Sequence, residues 1–319
     1  MILERADAVN TLAFTRSGNL LVALEGADKP WKEPDARVTA WSEPTGAPAG
    51  TVIENAGSAT DIAVSSRSDV LAVSHMYGTV TLHSLPRGDS LRDSLHGTGW
   101  RIGSNDPTTT AVRFARNGSR VAADGVNRSL SIWAVATGER LNPPKSRDSD
   151  SEILGAEELV VDCQDLLGFA SEDEVVYGGR GCLRVWSIST QTLTAELPTA
   201  GERVHFLSPR GTLWVGIPDD AQAVRASVSI RLLPSGKSTG SPIAVEAQDR
   251  IAFSEDDALV AVAGDRRVYI QEVASGRRAF SFDFPKAQDS RVRSVVFSPT
   301  RERLAVARGT TIFVLPFRR

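Results

Sequence analysis

Catalysis or metal binding needs His, Cys and carboxylate groups that converge on one point, so these residues are placed first. The chain has four histidines, His75, His83, His96 and His205, and two cysteines, Cys163 and Cys182. Two thiols cannot complete a four-thiolate zinc site and make no disulfide framework. The histidines are scattered, and ordinary packing accounts for them. The carboxylate runs Asp219-Asp220 and Glu255-Asp256-Asp257 lack the spaced oxygen ligands of a calcium loop and read as solvated turns. The string SGKST (235–239) matches only the end of a phosphate-binding loop. The place of that loop's first glycine holds Arg231, no helical pattern follows, and Gly236 reads as a turn residue. Asn117-Gly-Ser and Asn127-Arg-Ser fit the glycosylation pattern but fall where turns are expected, which Asn suits. No G-x-S-x-G elbow occurs. The expectation is a chain without a catalytic residue, a bound metal or a cofactor.

Composition narrows the partner. The chain has 319 residues, 41% of them hydrophobic, enough for a large core. A net charge of −3 gives no global basic field, so neither nucleic acid nor an anionic membrane is expected. No run approaches the ~18 apolar residues of a membrane span. The opening MILERADAVN lacks the basic-then-apolar order of a secretory leader. A cytoplasmic location is expected.

The elements that must position any site come from internal repetition. Residues 9–24 read VNTLAFTRSGNLLVAL, an alternating apolar stretch, a polar turn and a second apolar stretch, which is a hairpin pattern. The phrase returns at 59–74, 110–125, 168–179, 204–217, 250–264 and 292–309, making seven copies. Each is followed by a third apolar strand, at 37–46, 78–88, 128–138, 182–191, 228–237, 267–276 and 311–317. A short fourth strand fits before the next copy. The aligned apolar residues are Phe14, Val64, Phe114, Ala170, Leu207, Phe253 and Phe297, spaced about 47 residues apart.

These strings resemble the WD-repeat β-propeller family, with degenerate repeats, across nearly the whole chain. The marks are the turns FSP (297–299) and FSED (253–256), the strand-ending Trp41, Trp133 and Trp186, and the Ser/Thr-Gly turns. Ser or Ala follows each tryptophan where the family often has Asp, and no Gly-His dipeptide occurs. The family's Asp–His–Ser–Trp network is therefore not expected in most blades, although Asp35 and Asp265 sit where its Asp belongs. The resemblance implies an all-β fold, one seven-bladed propeller over 1–319. The last copy lacks a fourth strand, while residues 2–6 alternate without a hairpin partner. Pairing 2–6 with 311–317 removes an open edge and closes the ring.

WD-repeat proteins dock partners on the face where the first strands begin. Carried over by position, that face comprises Asn10, Thr60, Thr110, Arg203, Asp249 and Arg293, with Met76 and Arg291 as neighbours and Leu166 in blade four. This mixture suits a protein or peptide; a nucleic-acid face would be more uniformly basic. Trp31 and Trp100 lie in polar insertions at 25–36 and 96–107 and are candidate interface anchors. The expected function is a non-catalytic protein–protein interaction scaffold, a monomeric ring. In one form it is the sensor or docking domain of a larger bacterial signalling protein. The alternative is a propeller enzyme, lactonase-like or cofactor-dependent, with its site at the channel mouth.

Overall fold

The computed structural model describes residues 1–27, 36–43, 45–76, 79–96, 111–124, 130–141, 163–218, 226–246, 248–286, 291–299 and 303–317. Among these residues the regular structure is antiparallel β-sheet, without an α-helix, arranged as seven blades in a ring.

The chain opens with β1 (Ile2–Glu4). Blade one is β2 (Val9–Phe14), β3 (Leu20–Glu25), β4 (Ala36–Ser42) and β5 (Ala47–Gly57). Blade two is β6 (Ala59–Val64), β7 (Val70–His75), β8 (Thr79–Ser84) and β9 (Ser90–His96). Blade three shows β10 (Val112–Phe114), β11 (Arg120–Asp124) and β12 (Leu130–Ala134), and a bridge from Trp133 to Arg140 marks the start of its outer edge.

Blades four and five form one continuous six-stranded sheet. It contains β13 (Cys163–Phe169), β14 (Glu174–Ser187), β15 (Thr192–Leu207), β16 (Leu213–Pro218), β17 (Ala226–Leu232) and β18 (Ser238–Val245). The long β14 is both second and third strand of blade four. The long β15 is the outer strand of blade four over 192–198 and the innermost strand of blade five over 202–207. Six hydrogen-bonded sheets among the described residues therefore make seven blades.

Blade six is β19 (Arg250–Phe253), β20 (Leu259–Ala263), β21 (Arg267–Glu272) and β22 (Arg278–Asp283). Blade seven is β23 (Val292–Phe297), β24 (Arg303–Arg308), β25 (Thr311–Pro316) and, as its outer strand, β1. Ile2 pairs with Phe313, Leu3 with Ile312 and Glu4 with Thr311. The ring closes as the unpaired alternating segment required. Two charge contacts reinforce the seam. Arg5 Nε donates to the fully buried Glu25 at 3.0 Å, and Arg303 Nη1 donates to Glu43 at 2.6 Å.

Burial follows strand position within a blade. The second strands are covered on both faces by neighbouring blades, so they read as apolar runs. β3 (LLVALE) and β24 (RLAVAR) are buried over five consecutive residues each. The outer β5 is mostly exposed. The core lies between blades, as where Ile230 and Ile243 of blade five meet Ile251 and Val260 of blade six. Burying each such side chain contributes about 1.5–3 kcal/mol.

A repeated hydroxyl explains the FSP and FSED turns. Thr15, Ser65, Ser208, Ser254 and Ser298 stand just after a first strand, and all are buried. Their oxygens accept backbone N–H bonds from the turn or the second strand, for example Leu20 N at 3.1 Å and Leu259 N at 2.9 Å. Ala115 and Ala170 fill this place in blades three and four. The equivalence corrects the blade-four alignment. Ala170 N bonds Glu174 O, a turn one residue shorter than Thr15 N to Leu20 O, so the aligned residue is Phe169, not Ala170. The docking-face position of blade four passes from Leu166, which is buried, to Asp165.

Candidate functional site: the axial channel and its mouths

The seven first strands surround one cavity of about 720 Å³, lined by residues from every blade. Alternation sets which side chains line it. In β2, β6, β19 and β23 the half-buried Thr11 and Ala13, Asp61 and Ala63, Arg250 and Ala252, Ser294 and Val296 alternate with more deeply packed neighbours. Small residues form the middle wall. Charge gathers at both ends.

Inside the channel, Asp61 joins three blades. It accepts Thr11 Oγ1 at 3.0 Å from blade one, Ile62 N at 2.9 Å from its own blade, and Arg113 Nη1 at 2.6 Å and Val112 N at 3.3 Å from blade three. Enclosure works against the Arg113 cation, but Asp61, with a smaller contribution from Asp124, holds its pKa above the ordinary value. Asp124 performs a similar join between blades three and four, accepting Ala111 N and Leu166 N. Burial pushes its carboxyl up to about 7, against the pull of those two N–H groups and Arg113.

At the mouth where first strands begin, Arg250 Nε donates to the Arg293 carbonyl at 3.3 Å. Burial lowers the Arg250 pKa, and the charges of Arg291 and Arg293 lower it further. Three arginines are thus concentrated at one mouth. At the opposite mouth the turns after β2, β6 and β10 present Arg16, Arg67 and Arg116, all exposed. Arg16 Nη1 reaches the Arg67 carbonyl at 3.4 Å.

The expected face is only partly presented to solvent. Arg203 and Arg291 are exposed and Arg293 half-buried. Arg203 lies 3.8 Å from Asp165. Asn10 folds onto its own blade, accepting Ala27 N at 3.0 Å, and Thr60 bonds to Ser74. The pairing register skips Asn10, Thr60 and Arg293, a bulge that re-aims each side chain. Asp249 is buried and accepts Glu246 N at 2.8 Å, bracing its own loop. Met76 is half-buried. Thr110, Trp31 and Trp100 lie outside the described residues, as do Asp35, Asn127 and Asp219-Asp220.

Other sequence features resolve locally. His205 lines the channel and is exposed. His75 turns to Thr81 at 3.0 Å, and Thr81 also bonds His83, so this pair belongs to the second and third strands of blade two. Burial and then the His83 charge lower the His75 pKa. Gly236 has φ +70° and β18 follows it, so SGKST is a strand turn. Asn117 Oδ1 accepts Ser119 N within a turn. Asp257 is not a solvated carboxylate, because it accepts Ser208 Oγ at 3.0 Å and braces blade five against blade six. Asp265 accepts Val292 N from the next blade. Cys182 is disulfide-bonded, a single bridge that the sequence reading, concerned with a disulfide framework, did not anticipate. Bringing 163–169 and 174–187 into adjacent strands is the physical reason the two cysteine-bearing segments meet. Among the described residues no group of three or more His, Cys, Asp or Glu side chains is placed to hold a metal ion. No helix among them is long and apolar enough to cross a membrane.

Fold and channel together define the chain as a seven-bladed β-propeller. No protein-family model matches it, and neither does any curated protein. Sequence reasoning did not single out Asp61, Arg113, Arg250, Arg16, Arg67 or Arg116. The available signal was a charged residue at an inward alternation of an apolar innermost strand, as in ATDIAV (59–64) and VRF (112–114).

Proposed function

We propose that this propeller is a non-catalytic interaction module of the WD-repeat type that holds a protein or peptide on the face where its first strands begin. The observation that carries this reading is a set of arginines near the starts of first strands, Arg203 and Arg291 exposed and Arg293 lining the channel. Arginine is a frequent interface anchor because its planar fork makes several directed hydrogen bonds. Trp41, Trp133 and Trp186, buried at equivalent third-strand positions, support the WD-type label. A cytoplasmic setting is the reading taken from the sequence, and the Cys182 disulfide counts against it, since disulfides persist mainly in oxidising compartments. Alkylation before cell lysis reads the state of Cys182.

The test is affinity capture from the native host with the wild type and an Arg203→Glu, Arg293→Glu double variant. Partners should be retained by the first and lost by the second. Equal recovery by both removes this face from the reading. Metal analysis of the purified protein tests the enzyme alternative, lactonase-like or cofactor-dependent, because stoichiometric Ca²⁺ or Zn²⁺ would favour a channel-mouth site over the interaction module.

A further inference from the structure

The axial channel is more basic than the molecule around it. Among the described residues, six arginines and two carboxylates line it, in a chain whose net charge is −3. The arginines form two belts. Arg250 and Arg293 stand at the beginnings of β19 and β23, while Arg16, Arg67 and Arg116 stand two or three residues beyond the ends of β2, β6 and β10. Arg113 lies between the belts, tied to Asp61. In each belt an arginine donates to the backbone carbonyl of a neighbouring arginine on the next blade, which keeps the positive charges close together.

A six-residue strand rises roughly 20 Å, so the belts are about that far apart. A single small anion reaches only one of them. Beside Arg113, which Asp61 holds, the wall between includes Ala13, Ala63, Ala252 and Val296, small and apolar, which suits an extended chain with aliphatic stems. We propose that the channel takes an acidic polypeptide segment whose carboxylates engage the arginine belts at both mouths. This rests on the interaction-module reading and names the chemistry of its partner. Asp61 and Glu255 interrupt the basic lining. A polypeptide can space its carboxylates around them, whereas a nucleic acid carries a phosphate at every link.

Fluorescein-labelled octaglutamate, titrated with the full chain and followed by anisotropy, tests the site. Binding should weaken at least about tenfold when salt rises from about 50 to about 300 mM, as screening requires. Arg16→Ser with Arg67→Ser and Arg116→Ser should weaken it by about tenfold or more, since charged hydrogen bonds at a peptide carboxylate are lost. Arg250→Gln with Arg293→Gln should do the same. The first set is confined to exposed turn residues, so it decides the matter where the second fails to fold. The channel site is overturned by any of four results. These are no octaglutamate binding at low salt, equal binding by the variants, full displacement by millimolar inorganic phosphate, or tighter binding of an oligothymidylate. If host partners still depend on Arg203 and Arg293 while octaglutamate does not bind, the docking face stands and the channel site falls. If octaglutamate binds as expected and no host partner is captured, the docking face falls instead.

Discussion

Arg113 Nη1 lies 2.6 Å from Asp61 Oδ2, across the boundary between blades two and three. Thr11 of blade one reaches the other oxygen of the same carboxylate. One side chain therefore ties three blades at the channel wall, between residues about fifty positions apart. The pair is open to channel water on the Arg113 side, so its worth comes as much from the N–H and hydroxyl donors it satisfies as from charge.

Asp61→Ala should therefore destabilise the ring. The change removes the acceptor for Thr11 Oγ1 and Val112 N and leaves the Arg113 cation without that carboxylate. A loss of about 2–4 kcal/mol is expected, from orphaned donors and one charged hydrogen bond. Urea denaturation should show a lower midpoint at unchanged slope. Asp61→Asn should recover part of the loss. An unchanged midpoint would remove Asp61 as a joint between blades.

Asp124 gives the ring an acid-side stability slope. Its folded pKa, about 7, is raised above the ordinary 3.8, so the folded state binds its proton more tightly than the unfolded chain. That contribution is complete below about pH 4 and is lost as pH rises towards about 7, with no further change above. The span is on the order of 4 kcal/mol. Asp124→Asn should flatten this part of the stability profile, measured by denaturant midpoints from pH 4 to 8. A profile identical to wild type sinks the assignment.

His75 acts in the opposite direction. Its pKa is lowered in the folded state, so the folded chain holds that proton less well than the unfolded chain. Stability should fall as pH drops below the ordinary histidine value of 6.5 and level off beneath the lowered folded pKa. His75→Gln should remove this component. Its retention in that variant would show that another group is responsible.

Glu25 anchors the seam near the N-terminal strand. It is fully buried and accepts Arg5, Arg37 and Thr39. Glu25→Ala leaves two arginines without this partner and should cost about 3–5 kcal/mol, as breaking buried pairs does. Amide exchange of Leu3 and Ile312, which pair across the seam, should accelerate more than that of Val262 in blade six. Uniform acceleration would mean that the residue acts on the whole ring rather than on its closure.

Cys182 should resist alkylation until a reductant is added. The sequence holds one other cysteine, Cys163, 19 residues earlier. Closing a loop of this length stabilises by about 3 kcal/mol, so Cys182→Ser should lower stability by a similar amount. Prompt alkylation without reductant would refute the bridge.

Seven hairpin phrases were legible because strand alternation and turn chemistry are local. The hydroxyls at Ser65, Ser208, Ser254 and Ser298 close the turns that the repeats mark. Ring closure was legible because an unpaired strand at one end met an unfilled place at the other. Ala170 was misaligned because its turn is one residue shorter, which a spacing argument cannot see. Asn10 and Thr60 were placed on the face by position, but bulges turn both side chains to partners in their own blades. The channel's charge was hidden for a different reason. Asp61 and Arg113 meet across blades, and a single sequence records each residue without its partner.

The uninterrupted strand β15 leaves no loop joint between the fourth and fifth blades. These two sheets must tilt together, as a double-width stave in a barrel would. Any widening of the axial opening to admit a guest would fall to the remaining joints, and Arg203 is carried on that stave.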